Sequence, residues 1–96
     1  MTTKQRSKLR SLAQTIEPIG QIGKGGISDN MIAGLSSALE ARELIKVTVL
    51  KNAEDEAKYL ADDLAAELNA EVVCTIGYKI VLYRRSLKDG VKHIEF

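Results

Sequence analysis

Gln21-Ile22-Gly23-Lys24-Gly25-Gly26-Ile27-Ser28 decides how this chain is read. The stretch predicts a short strand, a Gly-x-x-Gly loop from Gly23 to Gly26, and a helix opening at Ser28. Three glycines admit backbone conformations that side chains forbid, and they let a ligand approach closely. Lys24 sets a full positive charge at the tip of the loop. The helix behind it turns unpaired N–H groups and the positive end of its dipole toward the same place. Backbone donors, dipole and lysine together form a cradle for phosphate.

Outward from the loop, helix and strand alternate. Leu9, Leu12, Ala13 and Ile16 give an apolar stripe that predicts a helix over Thr3 to Glu17. At ~100° per residue, Lys4 and Lys8 lie on one flank of that stripe and Arg6 and Arg10 on the other. Pro18 ends the helix, because the residue before proline disfavours the helical region. Ile19 to Ile22 is the first strand. Ser28 caps the second helix, Asp29 stands in its first turn, and Met31, Ile32, Leu35, Ala38 and Leu39 form its inner stripe up to about Arg42.

Leu44 to Leu50 alternates, with Ile45, Val47 and Val49 on one face and Lys46 and Thr48 on the other. Asn52 is expected to cap a third helix, with Glu54, Asp55 and Glu56 in its first turn. Leu60, Ala61, Leu64 and Leu68 form the core stripe of that helix, and Asn69 ends it. Glu71 to Ile76 and Tyr78 to Arg85 are β-rich runs around Gly77, which predicts a hairpin. Ser86 to Phe96 is polar and is expected to be a loosely held tail. Residues 1–96 thus read as one α/β domain of order α-β-α-β-α-β-β, with parallel β-α-β passages and a final antiparallel strand.

A hydrophobic content of 45% suits a folded chain, and with no tryptophan the core must be largely aliphatic. No run approaches the ~20 apolar residues of a membrane span, and the basic N-terminus has no apolar segment behind it. The single cysteine, Cys74, fits a reducing compartment, so a cytoplasmic location is expected. Net charge is only +1, but it is segregated. Lys4, Arg6, Lys8, Arg10 and Lys24 face Glu17 alone in the first 28 residues. Glu54, Asp55, Glu56, Asp62, Asp63, Glu67 and Glu71 then outweigh Lys58, and the C-terminal quarter is basic again. One basic and one acidic face follow if the ends meet in space.

Competing chemistries fit poorly. A P-loop needs Gly-x-x-x-x-Gly-Lys-Ser/Thr, and here Pro18 stands five before Gly23 and Gly25 follows Lys24. A dinucleotide fingerprint needs a third glycine where Ser28 stands. His93 and Cys74, each alone of its kind, do not supply a metal site. The adjacent acids point ~100° apart on a helix and read as solvated face, and no nucleophile–base arrangement is found, so no catalysis and no cofactor are expected. Lys79 and Arg84 extend the basic surface along the hairpin but alternate between its faces. Tyr78 and Tyr83 are placed to stack on bases, although partial burial is the expectation for both.

Several segments resemble a CRM domain, the chloroplast RNA splicing and ribosome maturation module. They are Lys4-Gln5-Arg6 with Leu9-Arg10-Ser11-Leu12-Ala13, Pro18-Ile19, Gln21-Ile22-Gly23-Lys24-Gly25-Gly26, Glu43-Leu44-Ile45-Lys46-Val47, and Ile76-Gly77-Tyr78-Lys79-Ile80-Val81-Leu82-Tyr83-Arg84. They occur in the family's order over residues 4 to about 85, and the stand-alone bacterial members are the most similar. The resemblance implies a four-stranded mixed sheet related to the C-terminal domain of a bacterial translation initiation factor, with a KH-like GxxG loop. It implies binding of ribosomal RNA during large-subunit assembly, without catalysis. By this resemblance Gly23, Lys24, Gly25 and Gly26 form the backbone clamp, and basic positions of the first helix support it. The other class left open is a protein adaptor on precursor ribosomes that uses the acidic third helix.

Overall fold

The structure is a computed structural model describing residues 1–96. Seven elements follow in order: α1 (Thr3–Ala13), β1 (Gly20–Ile22), α2 (Asp29–Arg42), β2 (Leu44–Val49), α3 (Ala57–Leu68), β3 (Glu71–Ile76) and β4 (Lys79–Tyr83). The predicted order holds throughout. α1 opens on a reciprocal cap, in which the Thr2 hydroxyl accepts from Gln5 N–H and the Gln5 amide accepts from Thr2 N–H. It ends at Ala13 rather than Glu17. The next residues tighten into i→i−3 bonds, Gln14 to Ser11, Thr15 to Leu12 and Ile16 to Ala13.

α2 is capped as expected, Ser28 Oγ accepting from Met31 N–H at 3.1 Å. α3 is not capped by Asn52. It starts at Ala57 behind Glu56, with no side-chain cap, and Asn52 instead lies beside Gly23. Ala53 N–H bonds back to Leu50 O, so the chain turns first and Glu54, Asp55 and Glu56 lie outside the helix. Asn69 does end α3, in the left-handed region at φ 52°. Gly77, at φ 56°, opens the two-residue turn of the β3–β4 hairpin.

The sheet order is β1-β2-β4-β3. β1 and β2 are parallel neighbours, and β4 inserts antiparallel between β2 and β3. α2 and α3 cover one face. Their Leu35, Leu39, Leu60, Leu64 and Leu68 pack on Ile22, Ile45, Val47, Ile80 and Leu82. α1 alone covers the other face, where Leu9 and Ala13 meet Leu44, Val73 and Val81. A single short helix cannot shield four strands, and that shortfall creates the open surface described below.

The segment expected to hang loosely is laid on the body. Ser86 is buried, its N–H donates to Glu43 Oε2 at 2.7 Å and its hydroxyl to Glu40 O at 2.6 Å. Ile94 N–H donates to Glu43 Oε1 at 2.7 Å, His93 Nδ1 lies 2.6 Å from Glu43 Oε2, and Phe96 meets Tyr83 edge-on. Glu43 has no accessible surface and adopts φ 66° as the cap of α2. A buried carboxylate holds its place only when fully hydrogen-bonded, and the C-terminal segment supplies those bonds.

Candidate nucleic-acid interface

The glycine loop projects from the end of β1, one residue past the Ile22–Val49 pair of the sheet. Gly26 N–H closes a turn onto Gly23 O at 3.0 Å. The N–H groups of Lys24 and Gly25 have no acceptor within the protein. Only Gly26 of the three requires glycine for its backbone, at φ 71°. Gly25 has an ordinary φ, and a Cβ built on it would meet nothing within 4 Å. Gly23 is tighter, with Asn52 Oδ1 at 3.3 Å from such a Cβ. Lys24 and Gly25 are both exposed. The helix contributes less than expected, because the Ser28 hydroxyl already occupies Met31 N–H and Asp29 places a carboxylate in the first turn.

Surroundings give the loop a direction. On its α3 side lies a hollow of about 110 Å³ whose lining includes Glu54 and Asp55. Two carboxylates against the single charge of Lys24 disfavour a polyanion inside that hollow. On the other side lies the half of the sheet that α1 leaves bare. Register places Gln21, Thr48, Lys79 and Ile76 in one row across all four strands on that face. Ile76 is 44% exposed, and Lys79 Nζ donates to Thr48 Oγ1 at 2.9 Å. The next row, Lys46–Val81–Cys74, runs under the edge of α1. Burial pushes the Cys74 thiol up, and the charges of Arg10, Lys46 and Arg6 oppose that rise. Those three cations therefore lie near Cys74.

The two flanks of α1 thus diverge. Arg6 and Arg10 are exposed and their charges act on Cys74 of β3, while Lys4 and Lys8 line a hollow with Phe96. Lys8 also borders a cleft of about 750 Å³ shared with Lys92, His93 and Ile94. Lys79 lies in the exposed row. Arg84 does not belong to this surface. Its guanidinium donates to Leu68 O at 2.7 Å and to Ser36 O at 2.9 Å, and lies 3.5 Å from Glu40. It ties α2, α3 and β4 together, so its donors are spent inside the fold. Lys46, which alternates with Val47 onto this face, is a cation here that the sequence reading does not single out. Tyr83 is partly buried as expected, but Tyr78 is 55% exposed at the hairpin tip.

A family model described as the CRS1 / YhbY (CRM) domain matches residues 1–84. The chain belongs to this family. It is 48% identical over 95 residues to the "Probable RNA-binding protein YqeI" of Bacillus subtilis, covering 99% of this chain and 97% of that one. A Haemophilus influenzae protein named "RNA-binding protein" is 34% identical over 86 residues, covering 90% of this chain and 87% of its own length. The solution structure of the hypothetical protein SAV1595 from Staphylococcus aureus matches with a TM-score of 0.78 at 52% identity, covering 93% of both chains. The CRM domain anticipated from the glycine loop and hairpin, and its four-stranded mixed sheet, are therefore both shown. No helix is long and apolar enough to cross a membrane.

Proposed function

We propose that this CRM protein binds ribosomal RNA during assembly of the large ribosomal subunit and does so without catalysing a reaction. The loop Gly23–Gly26 takes a phosphate of the backbone. Lys24 supplies the charge, and Arg6, Arg10, Lys46 and Lys79 extend the track over the bare half of the sheet. One observation carries the reading: the N–H groups of Lys24 and Gly25 have no acceptor in the chain and Gly25 faces open space, at the exposed end of the sheet that carries Lys79. Relatives named for RNA binding support the partner class.

A second reading has its own observation. Asp62, Asp63 and Glu67 are exposed along α3, on the face of the sheet opposite the basic strip. That face suits a basic protein partner on a precursor ribosome. Sedimentation separates the two. Direct RNA binding predicts association with precursor large subunits that RNase abolishes, and crosslinks from Lys24 to ribosomal RNA. An association that survives RNase, with no such crosslink, favours the adaptor.

A further inference from the structure

We propose that Tyr78 is a base-stacking residue, holding an unpaired nucleobase of the strand whose backbone the Gly23–Gly26 loop clamps. The proposal deepens the RNA-binding reading and rests on it. Tyr78 occupies the turn between β3 and β4, at the same end of the sheet as the loop. Its ring is exposed, yet its backbone is fixed: Tyr78 O accepts from Val49 N–H at 2.6 Å, and Val49 is the register partner of Ile22. β1 and β4 are separated only by β2, so the strand ends that carry the loop and Tyr78 stand about two strand spacings, or ~10 Å, apart. That separation lies within the stretch of about four nucleotides a GxxG loop spans.

The surroundings choose a base over a phosphate. Tyr78 borders a cleft of about 440 Å³ between the hairpin and the β2–α3 connection, with Leu50 and Ala53 as apolar walls. Glu54, Asp55 and Glu56 line it against Lys51 and Lys58. Three carboxylates against two ammonium groups disfavour a phosphate, whereas an uncharged ring is indifferent to them. Leu50, Ile76 and Tyr78 are all exposed at this end of the sheet, and Leu50 touches the space beside Gly23. An apolar, aromatic ledge next to a phosphate cradle matches a strand with its backbone in the loop and a splayed base on the ring. A paired base cannot reach it, so the ligand is single-stranded at this point.

The test compares Tyr78→Ala, Tyr78→Phe and Lys24→Glu on a short single-stranded RNA and on a duplex of the same length. Thermal melts confirm that each variant is folded. Stacking predicts that Tyr78→Ala weakens single-strand binding roughly 5- to 150-fold. Tyr78→Phe keeps it, duplex binding is unchanged, and the salt dependence stays as in the wild type. Scanning an abasic nucleotide along the strand should find one position at which Tyr78→Ala costs nothing further. If Tyr78→Ala binds the single strand like the wild type while Lys24→Glu does not, the stacking role is overturned and the clamp stands. If both bind like the wild type, or the wild type does not bind RNA, the clamp itself fails and stacking with it.

Discussion

Two regions at opposite ends of β2 present donors suited to an anion, and only one of them brings its own. At the start of the strand, Glu43 is sealed in, and Ser86 N–H, Ile94 N–H and His93 Nδ1 converge on its carboxylate. Past the other end, the Lys24 and Gly25 N–H groups and the Lys24 ammonium face open space with no anion from the chain. The chemistry is alike, backbone donors plus a basic side chain. Burial separates the two: the first arrangement contributes stability, and the second, in the function proposed above, receives a ligand. Changes at Glu43 should therefore act on folding and changes at Lys24 on binding.

The largest effect is expected at Glu43. Removing the carboxylate strips one buried and one part-buried N–H of their acceptor, at about 1–3 kcal/mol for the buried one and less for the other, so Glu43→Ala should lower the unfolding free energy by about 2–4 kcal/mol. A urea titration measures it, and faster hydrogen exchange at Ser86 and Ile94 locates it. The fraction still folded should bind RNA normally. Acid should act through the same group. Burial alone raises the Glu43 carboxyl, but the hydrogen bonds from His93, Ser86 and Ile94 and the charge of His93 outweigh it and hold it below the ordinary 4.5. A lowered folded value means the contribution is complete above pH 4.5 and fades as the pH falls below it. Glu43→Gln should lack that acid limb, and an unchanged limb in the variant would assign it to another carboxylate.

Lys24→Glu is the reciprocal case. An exposed charge contributes little to stability, so the melt should match the wild type. RNA affinity should fall by at least about tenfold, equivalent to about 1.4 kcal/mol. Equal affinity would place the phosphate contact elsewhere.

The glycines divide the loop more finely. At Gly25 a Cβ meets nothing within 4 Å and no forbidden φ, so Gly25→Val should fold normally yet fill the space a phosphate needs. At Gly26, φ 71° makes a branched residue strained by roughly 1–2 kcal/mol, so Gly26→Val should lose stability as well as binding. Normal RNA affinity in folded Gly25→Val would count against a backbone clamp.

Local signals made the frame readable. Stripes such as Leu35–Leu39 and Leu60–Leu64–Leu68, the Ser28 and Asn69 caps, and the Gly77 turn each depend on neighbours a few residues away. What escaped depends on distance along the chain. Glu43 is joined to His93 and Ile94 across about fifty positions, so the C-terminal segment reads as polar tail. Arg84 resembles one more surface cation because its acceptors, Ser36 O and Leu68 O, lie on two other elements. Asn52 has a cap residue's identity, but the Leu50–Ala53 turn and its place beside Gly23 take it elsewhere. For the loop, sequence supplied the residues and the structure supplied the direction, because acidity on one side and bare sheet on the other emerge only after folding.

That direction carries the smallest expected effect, and it asks whether the division between stability and binding runs through α1 itself. Arg6 and Arg10 stand with Lys46 beside the open strip, whereas Lys4 and Lys8 face the C-terminal segment that Glu43 holds down. Each phosphate engaged on a single strand contributes about 0.7 to the slope of log affinity against log salt. Arg6/Arg10→Ala should therefore flatten that slope by up to ~0.7 for every phosphate the arginines neutralise, with little change in the melt. Lys4/Lys8→Ala should leave the slope nearly unaltered, since those side chains line hollows shared with the C-terminal segment. A flattened slope in the lysine pair and not the arginine pair would mean that RNA crosses the C-terminal segment instead of the bare sheet. Glu43 would then shape the binding surface as well as the fold.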